Sequence, residues 1–438
     1  MSRTNFSLLF LSFCLWIPTA CSYWLMAANN VLTIQRMDPI RYPGIVGSHV
    51  HSVLGGSSFS LNLSTADLQG SECTSIPVQE DKSNYWYPHL YWQKNDGSFV
   101  TVNGSAVIFT NDNSPTEACA DYLFNDNSSL MTPFPDDFRM ISGLYHIPAE
   151  SRLLTVHVGD PNLRTLNASS FAQQAITFLC LNFNGVSTKY NELPVNQDCS
   201  SGIRSQINFP SCWDGKNVDS EDHKSHVAFP STGPDNGTCN DPNYPVTIPR
   251  IFMEVYWVTQ GFQDQRGEAM TPRQPFVFSN GDPTGYGYHA DFFNGWESGV
   301  LQRAINECHC NPYGDPSCCV AAGTFSINQN ARCYISNTVD EITTGNLTTL
   351  PGANPVQAPC YEDYVAAYTP AIVGPVYVST EEGVVPNGTT EVVAPARTVD
   401  VGGRKPAGTC LWTGGATGRG VPWVVVLLGI LMTTVGLV

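Results

Sequence analysis

The chain has 438 residues, of which 38 are Asp or Glu and only 21 are Lys or Arg, giving a formal net charge of -17 at pH 7. So acidic a surface repels polyanions, which argues against nucleic acid as a partner and suits solubility outside the cell. A hydrophobic fraction of 42% allows a large packed core, and 15 cysteines point to an oxidising compartment.

At the start, Arg3 precedes an apolar run over 8–17, and Ala20-Cys21-Ser22 offers the small residues that signal peptidase accepts. Residues 1–22 are expected to leave as a signal peptide, with Tyr23 as the mature terminus. In 47–56, GSHVHSVLGG, an extended backbone would put His49 and His51 on one face and Val50 on the other. Both imidazoles could then meet one ligand or one divalent metal ion, or both could be structural histidines bonded to backbone. The run 81–92, DKSNYWYPHLYW, has aromatics at odd and even positions, so rings would stand on both faces of a strand. One face serves the core. The other would draw on Tyr85, Trp86 and Tyr87 as a platform for a sugar ring, with Asp81, Lys82 and Asn84 bonding its hydroxyls.

The runs RLLTVHV (152–158), AITFLCLNF (175–183), RIFMEVYWV (250–258) and PFVFS (275–279) predict short strands, separated by stretches dense in Gly, Pro, Asn and Asp. Within 203–230, Asp214, Asp219, Asp222, His223, Lys224 and His226 cluster beside Cys212 and Trp213. A disulfide at Cys212 would pin this loop as a site for Asp214, Asp222 and His226 in catalysis and for Lys224 and Trp213 in substrate binding; the bland alternative is an acidic or calcium-binding turn. Glu254 interrupts the apolar strand on the face of Phe252 and Tyr256, where burial would raise its pKa toward that of a general acid, unless Arg250 pairs with it. Along 278–296, FSNGDPTGYGYHADFFNGW, turn residues lead to His289 and Asp291, which share a strand face and can form an oriented acid–base pair. A helix is predicted over 297–306, where Val300, Leu301, Ala304 and Ile305 lie together.

Toward the end, Cys308-x-Cys310 and Cys318-Cys319 read as bridge partners rather than zinc thiolates. Residues 361–406 have low regularity and no cysteine, as in a stalk. The tail 421–438, VPWVVVLLGILMTTVGLV, is apolar and is followed by no Lys or Arg. Upstream, Ala407, Gly408 and Thr409 precede a weakly polar spacer, the layout of a glycosylphosphatidylinositol signal. Attachment is expected at Ala407 or Gly408, with 407–438 removed. Loss of both signals takes away Arg3 and Arg419, moving the charge from -17 to -19, and takes Cys14, Cys21 and Cys410, leaving 12 cysteines of the 15. An even set reads as disulfides whose connectivity stays open. Sequons at Asn62, Asn103, Asn127, Asn167, Asn236, Asn346 and Asn387 are candidate glycan sites, and their absence from 247–304 marks that stretch as core or as kept free for a ligand. The whole reads as a mainly β protein: a large antiparallel sandwich-like domain over 23–304 with long disulfide-pinned loops and few helices, then a cysteine-rich extension over 305–360.

Four motifs together, HVHSVLGGSSFS, DKSNYWYPHLYW, RSQINFPSCWDGKNVDSEDHKSHVAFP and PFVFSNGDPTGYGYHADFFNGW, resemble the fungal secreted family known as domain of unknown function nineteen ninety-six. The resemblance covers roughly 38–304. It implies an extracellular fungal protein, and it implies a shared site at these motifs with no assigned chemistry.

The leading expectation is an enzyme anchored at the plasma membrane or cell wall that cleaves a wall polysaccharide. Hydrolysis would need two carboxylates across the scissile bond, drawn from Asp214, Asp222, Asp291 and Glu254. Elimination would use His289, His226 or Tyr87 as base, while Lys224 or a metal neutralises a uronate. A non-catalytic glycan-binding, adhesion or structural wall protein is the alternative. Copper oxidation through a terminal histidine is disfavoured, because cleavage after Ser22 exposes Tyr23. The sequence carries no GxxxxGK[ST], HExxH or GxSxG, so nucleotide, zincin and ordinary esterase chemistry lack their signatures.

Overall fold

The structure, a computed structural model, describes residues 24–109, 131–143, 170–308, 315–357, 364, 366, 368–382, 384 and 386–398. Residues 1–22, expected to be a signal peptide, the run 152–158, Asn127, Asn167, Cys310 and residues 407–438, expected to be a lipid-attachment signal, lie outside the described residues. No helix among them is long and apolar enough to cross a membrane.

Two antiparallel sheets dominate. The first has the strand order Leu25–Ala27, Gly104–Phe109, Phe252–Trp257, Ile203–Asn208, Ile176–Cys180 and Thr188–Tyr190. The second runs Thr33–Gln35, His51–Gly55, Asn84–Pro88, His289–Phe293 and Arg139–Gly143. Side chains alternate between the two faces of each strand. Thus Ile176, Phe178, Ile203, Ile207, Met253, Val255 and Trp257 of the first sheet join Leu54, Tyr85, Tyr87, Met140, Ala290 and Phe292 of the second in one buried apolar cluster. The mainly β sandwich read from the strand-forming runs is therefore the architecture. The helix Val300–Glu307 begins three residues later than its apolar pattern suggests and buries the expected Val300, Leu301, Ala304 and Ile305 in that same cluster.

The second sheet is apolar on its other face as well. Val53, Trp86, Ile141 and Phe293 pack there against Met37, Ile40, Val46, Phe59 and Leu61, and against Cys333, Ile335 and Val339 from beyond the sandwich. A clamp holds this cover down. The disulfide Cys73–Cys333 ties it to the loop after the second strand. The Gln35 Oε1 accepts from the Thr338 and Val339 amides at 2.7 and 3.0 Å, Arg36 pairs with Glu341 at 2.5 Å, and Asn354 donates to the Ser48 carbonyl at 2.9 Å. Where composition suggests an irregular stalk, Val378–Ser379 pairs with Tyr334–Ile335, and Ile372, Val376 and Val378 pack on the cover. A hydrophobic face of this kind needs a partner, so part of the 361–406 segment belongs to the folded body.

Further bridges join Cys180–Cys199, Cys212–Cys239 and Cys308–Cys319, and Cys318 is also disulfide-bonded. The Cys308–Cys319 bridge agrees with the pairing of the two cysteine doublets. Because Cys73 and Cys333 are 260 residues apart, their bridge removes much chain freedom from the unfolded state. A Cys73→Ser/Cys333→Ser variant should lose about 2–5 kcal/mol of stability. Urea unfolding checks this; a loss well under 1 kcal/mol would mean the cover holds without its staple.

Candidate metal centre

The outer face of the second sheet carries His51, His289 and Asp291 among the apolar residues, by the same alternation that turns Ser52, Ala290 and Phe292 inward. His51 pairs with Pro88 across the sheet, and His289 pairs with Gly143. Carrying the antiparallel Asp291–Trp86 register two residues further aligns Pro88 with His289. His51 and His289 thus flank Pro88 on this face of the sheet. His49 sits in the bend just before the strand His51–Gly55 and joins them. Gly143 has φ +85°, and a Cβ there would come within 2.9 Å of the His289 Cα and Cβ, so only glycine fits beside the ring.

The His289 Nε2 lies 3.1 Å from the His49 Nε2 and 3.2 Å from the His51 Nε2. All three residues are buried, and one ligand nitrogen from each falls within 4.8 Å of the others. Hydrogen bonds at the far nitrogens assign the tautomers. The His51 Nδ1 is 3.0 Å from the Met37 carbonyl, and the His289 Nδ1 is 2.8 Å from the Gly287 carbonyl. A carbonyl can only accept, so both rings carry hydrogen on Nδ1 and turn an unprotonated Nε2 toward one another. The Ser48 hydroxyl, at 2.9 Å, holds the Nδ1 of His49.

Two such lone pairs facing at 3.2 Å repel each other, and a cation between them would relieve this. Protons are poor candidates. Burial, followed by repulsion from His51, holds His49 well below the usual imidazole range; burial and His51 do the same to His289; and burial brings His51 to about 3 against the opposing pull of the Met37 carbonyl. A metal ion fits instead. Nitrogens bound tetrahedrally at about 2.0–2.1 Å stand about 3.3 Å apart, close to the separations seen here. Backbone carbonyls on the outer nitrogens are the usual means of fixing metal-bound histidines. Three neutral imidazoles suit zinc, copper, nickel or iron rather than calcium or magnesium.

Around this centre stand groups of both signs. Lys224, half-buried as a residue, donates its amine to the Gly143 carbonyl. Burial lowers its pKa to about 7, opposed by Asp291 and Asp222 and reinforced by Arg41. Arg41 and Lys224 are also within electrostatic reach of His289, and Arg41 and Arg36 of His49. The pairing of His289 with Asp291 takes a different form from a catalytic dyad. Their shared face is as expected, but the Gly287 carbonyl receives the Nδ1 hydrogen, and Asp291 interacts with Lys224.

The remaining expected site residues lie elsewhere. Glu254 occupies the outer face of the opposite sheet, where Arg204, Gln206 and Tyr256 bond it at 2.7, 2.8 and 2.9 Å; Arg250 instead donates to the Asp235 carbonyl. Asp214 closes a turn by accepting from the Lys216 and Asn217 amides. Asp222 accepts from the Ser225 amide; burial opposes its ionisation, but that bond and its neighbours outweigh it and hold the carboxyl at about 2. The two nitrogens of His226 meet the Ser220 hydroxyl and the Arg139 carbonyl, both at 2.9 Å, which makes it a staple of the loop. Trp213 donates to the Asn217 carbonyl in the same loop.

The sugar platform is overturned by burial. Tyr85, Trp86 and Tyr87 are 3%, 0% and 0% exposed, because their strand lies between two cores and neither of its faces is open. Asn84 bonds the Leu54 and Gly56 carbonyls. Asp81 accepts from the Ser83 amide and the Tyr85 hydroxyl, with burial raising its pKa to about 6. Arg41, Arg36 and the carbonyls of Met37 and Gly287 were not foreseen as parts of the site. Only the turn chemistry before His289 hints at one of them.

A β-sandwich with a buried three-histidine centre on the outer face of one sheet is the class these features define. Residues 38–296 match the family described as domain of unknown function (DUF1996), and the chain belongs to that family. No curated protein and no solved structure is significantly similar to it.

Proposed function

We propose that this protein is an exported, metal-dependent enzyme that cleaves a polysaccharide at the cell surface or wall. The convergence of His49, His51 and His289 carries the reading. His49, His51 and His289 would hold the metal, which would supply Lewis-acid and water-activating chemistry. The chain holds the imidazoles deprotonated by burial, aims them through Ser48, Met37 and Gly287, and places Lys224 and Asp291 nearby. The export and anchor signals support an extracellular setting. So do the exposed sequon residues Asn62, Asn103, Asn346 and Asn387 and the half-exposed Asn236. Non-catalytic glycan binding loses its main support with the burial of Tyr85, Trp86 and Tyr87.

The test is to incubate the purified full chain, stripped of metal and then reloaded with zinc or copper, with glucans, mannans, chitin and uronic-acid polymers, and to identify soluble products by mass spectrometry. Oligosaccharides released only after metal return, and not by His289→Ala, are expected. Retention on a polymer without any release would replace the enzyme with a binding protein.

A further inference from the structure

A cleft of about 390 Å³ opens at the clamp, between the loop at Glu341 and Ile342 and the stretch from Asn346 to Ala353. Its size falls within the range of sites that take small organic molecules. The frame is fixed from below. Leu347 and Leu350 are buried with Tyr91, Phe99 and Val277, and the Gly352 amide, at φ +71°, donates to the Glu341 Oε1 at 2.8 Å. Toward solvent the cleft is apolar: Ile342 and Tyr368, which both line it, are 78% and 57% exposed. Two large apolar side chains brought together in one concave place mark an interaction surface.

Asn346 stands in the wall of this cleft. It pairs with Val100 in the edge strand of a four-stranded sheet, and because Leu347 turns into the core, alternation turns Asn346 outward. Asn346 and Thr348 are both exposed, and they are the first and third residues of the sequon Asn346-Leu347-Thr348. The Lys94 amine engages the Asn346 Oδ1 at 3.3 Å and not the amide nitrogen, the atom to which a glycan is joined.

We propose that Asn346 carries an N-linked glycan whose first sugars fold back into this cleft. This rests on the export reading above, because N-glycans are added on that route. The C–H faces of the pyranose rings suit Ile342 and the Tyr368 ring, while Thr348 and Thr349, which also line the cleft, supply hydroxyls for the acetamido and hydroxyl groups. A sugar tethered at the wall has an effective concentration on the order of millimolar, so contacts too weak to hold a free oligosaccharide suffice. The docked glycan would span the Glu341 loop and the Pro351–Ala353 turn, the parts of the cover that Arg36 and Asn354 tie down. It would brace the clamp from outside.

The test uses the full chain secreted from a glycosylating eukaryotic host. Native protein is treated with an endoglycosidase that cuts between the two core N-acetylglucosamines, and mass spectrometry follows each sequon over time. Release at Asn346 should be about tenfold slower than at the exposed Asn103 and Asn387, since only the undocked fraction can be cut. Tyr368→Ala and Ile342→Ser should each bring Asn346 to within about twofold of Asn103, whereas Tyr368→Phe should keep the protection. Glycans elsewhere but none at Asn346, release there as fast as at Asn103, or protection indifferent to both substitutions would overturn the docked glycan while leaving the export reading standing. Absence of glycan from every sequon would remove the export reading and this one with it.

Discussion

His289→Ala is expected to abolish specific zinc or copper binding. The His289 ring is the one that stands 3.1 and 3.2 Å from both of the others, so its removal leaves two imidazoles without their common partner. Loss of a mere outer-shell contact costs metal sites about 10–100-fold in affinity, and loss of a ligand should exceed that. Stability reports the same event. Zinc at about 100 times its dissociation constant should stabilise the native chain by about 2.7 kcal/mol, a rise of several degrees in melting temperature. His289→Ala should show no such rise. His226→Ala makes the informative comparison, because its nitrogens are spent on Ser220 and Arg139; it should lower the baseline yet keep the zinc response. An undiminished zinc response in His289→Ala would dismiss the centre.

The second large effect is acid lability of the metal-free protein. His89 is buried, its Nδ1 is 2.8 Å from the Ser52 hydroxyl, and its Nε2 has no hydrogen-bond partner among the described residues. Burial lowers its pKa to about 3, against about 6.5 in the unfolded chain. With the folded value below the unfolded one, the stability linked to His89 is complete above pH 6.5 and is lost as pH falls from 6.5 toward 3. At pH 5 the loss is about 2 kcal/mol for this one group. Burial brings His51 to about 3 as well, so these two groups alone should cost about 4 kcal/mol between pH 7 and pH 5, and His49 and His289, held low by burial too, add to the drop. Urea unfolding at the two pH values measures the drop. His89→Leu should recover about 2 kcal/mol of the drop, whatever its effect at pH 7, and parallel pH curves for the variant and the parent would count against the assignment.

Much of the sandwich was legible because its strands are made from unambiguous material. The runs around Ile176–Cys180, Phe252–Trp257 and Phe276–Phe278 are β-branched and aromatic, and turn residues bound them. The second core was not legible. Its residues come in twos and threes from Leu32 to Val378, too scattered for any window to show a period. That omission explains the platform error, since alternating rings look half-exposed unless the cover over Trp86 is known. At the site, alternation placed His289 beside Asp291 and His49 near His51. It could not bring the two motifs together, because they are 240 residues apart and their meeting depends on strand order and register. Lys224 was recognisable as a polar loop residue, but its reach to Gly143 depends on a glycine whose role only the cross-strand pairing reveals.

The clamp over the histidine sheet bears on how portable this domain is. Residues 38–296 carry every proposed metal ligand, yet Gln35, Arg36, Cys333, Glu341 and Asn354 fall outside that span, and Asn354 holds the carbonyl of the residue next to His49. A unit cut at the edges of the family match would expose the outer face of its own sheet to water and would lose the brace on His49. Fusion or exchange among proteins should therefore succeed only when the later segment travels with it, or when the recipient supplies a lid of similar shape. A ligand set can be inherited in one piece, whereas the wall that keeps it dry must be acquired separately.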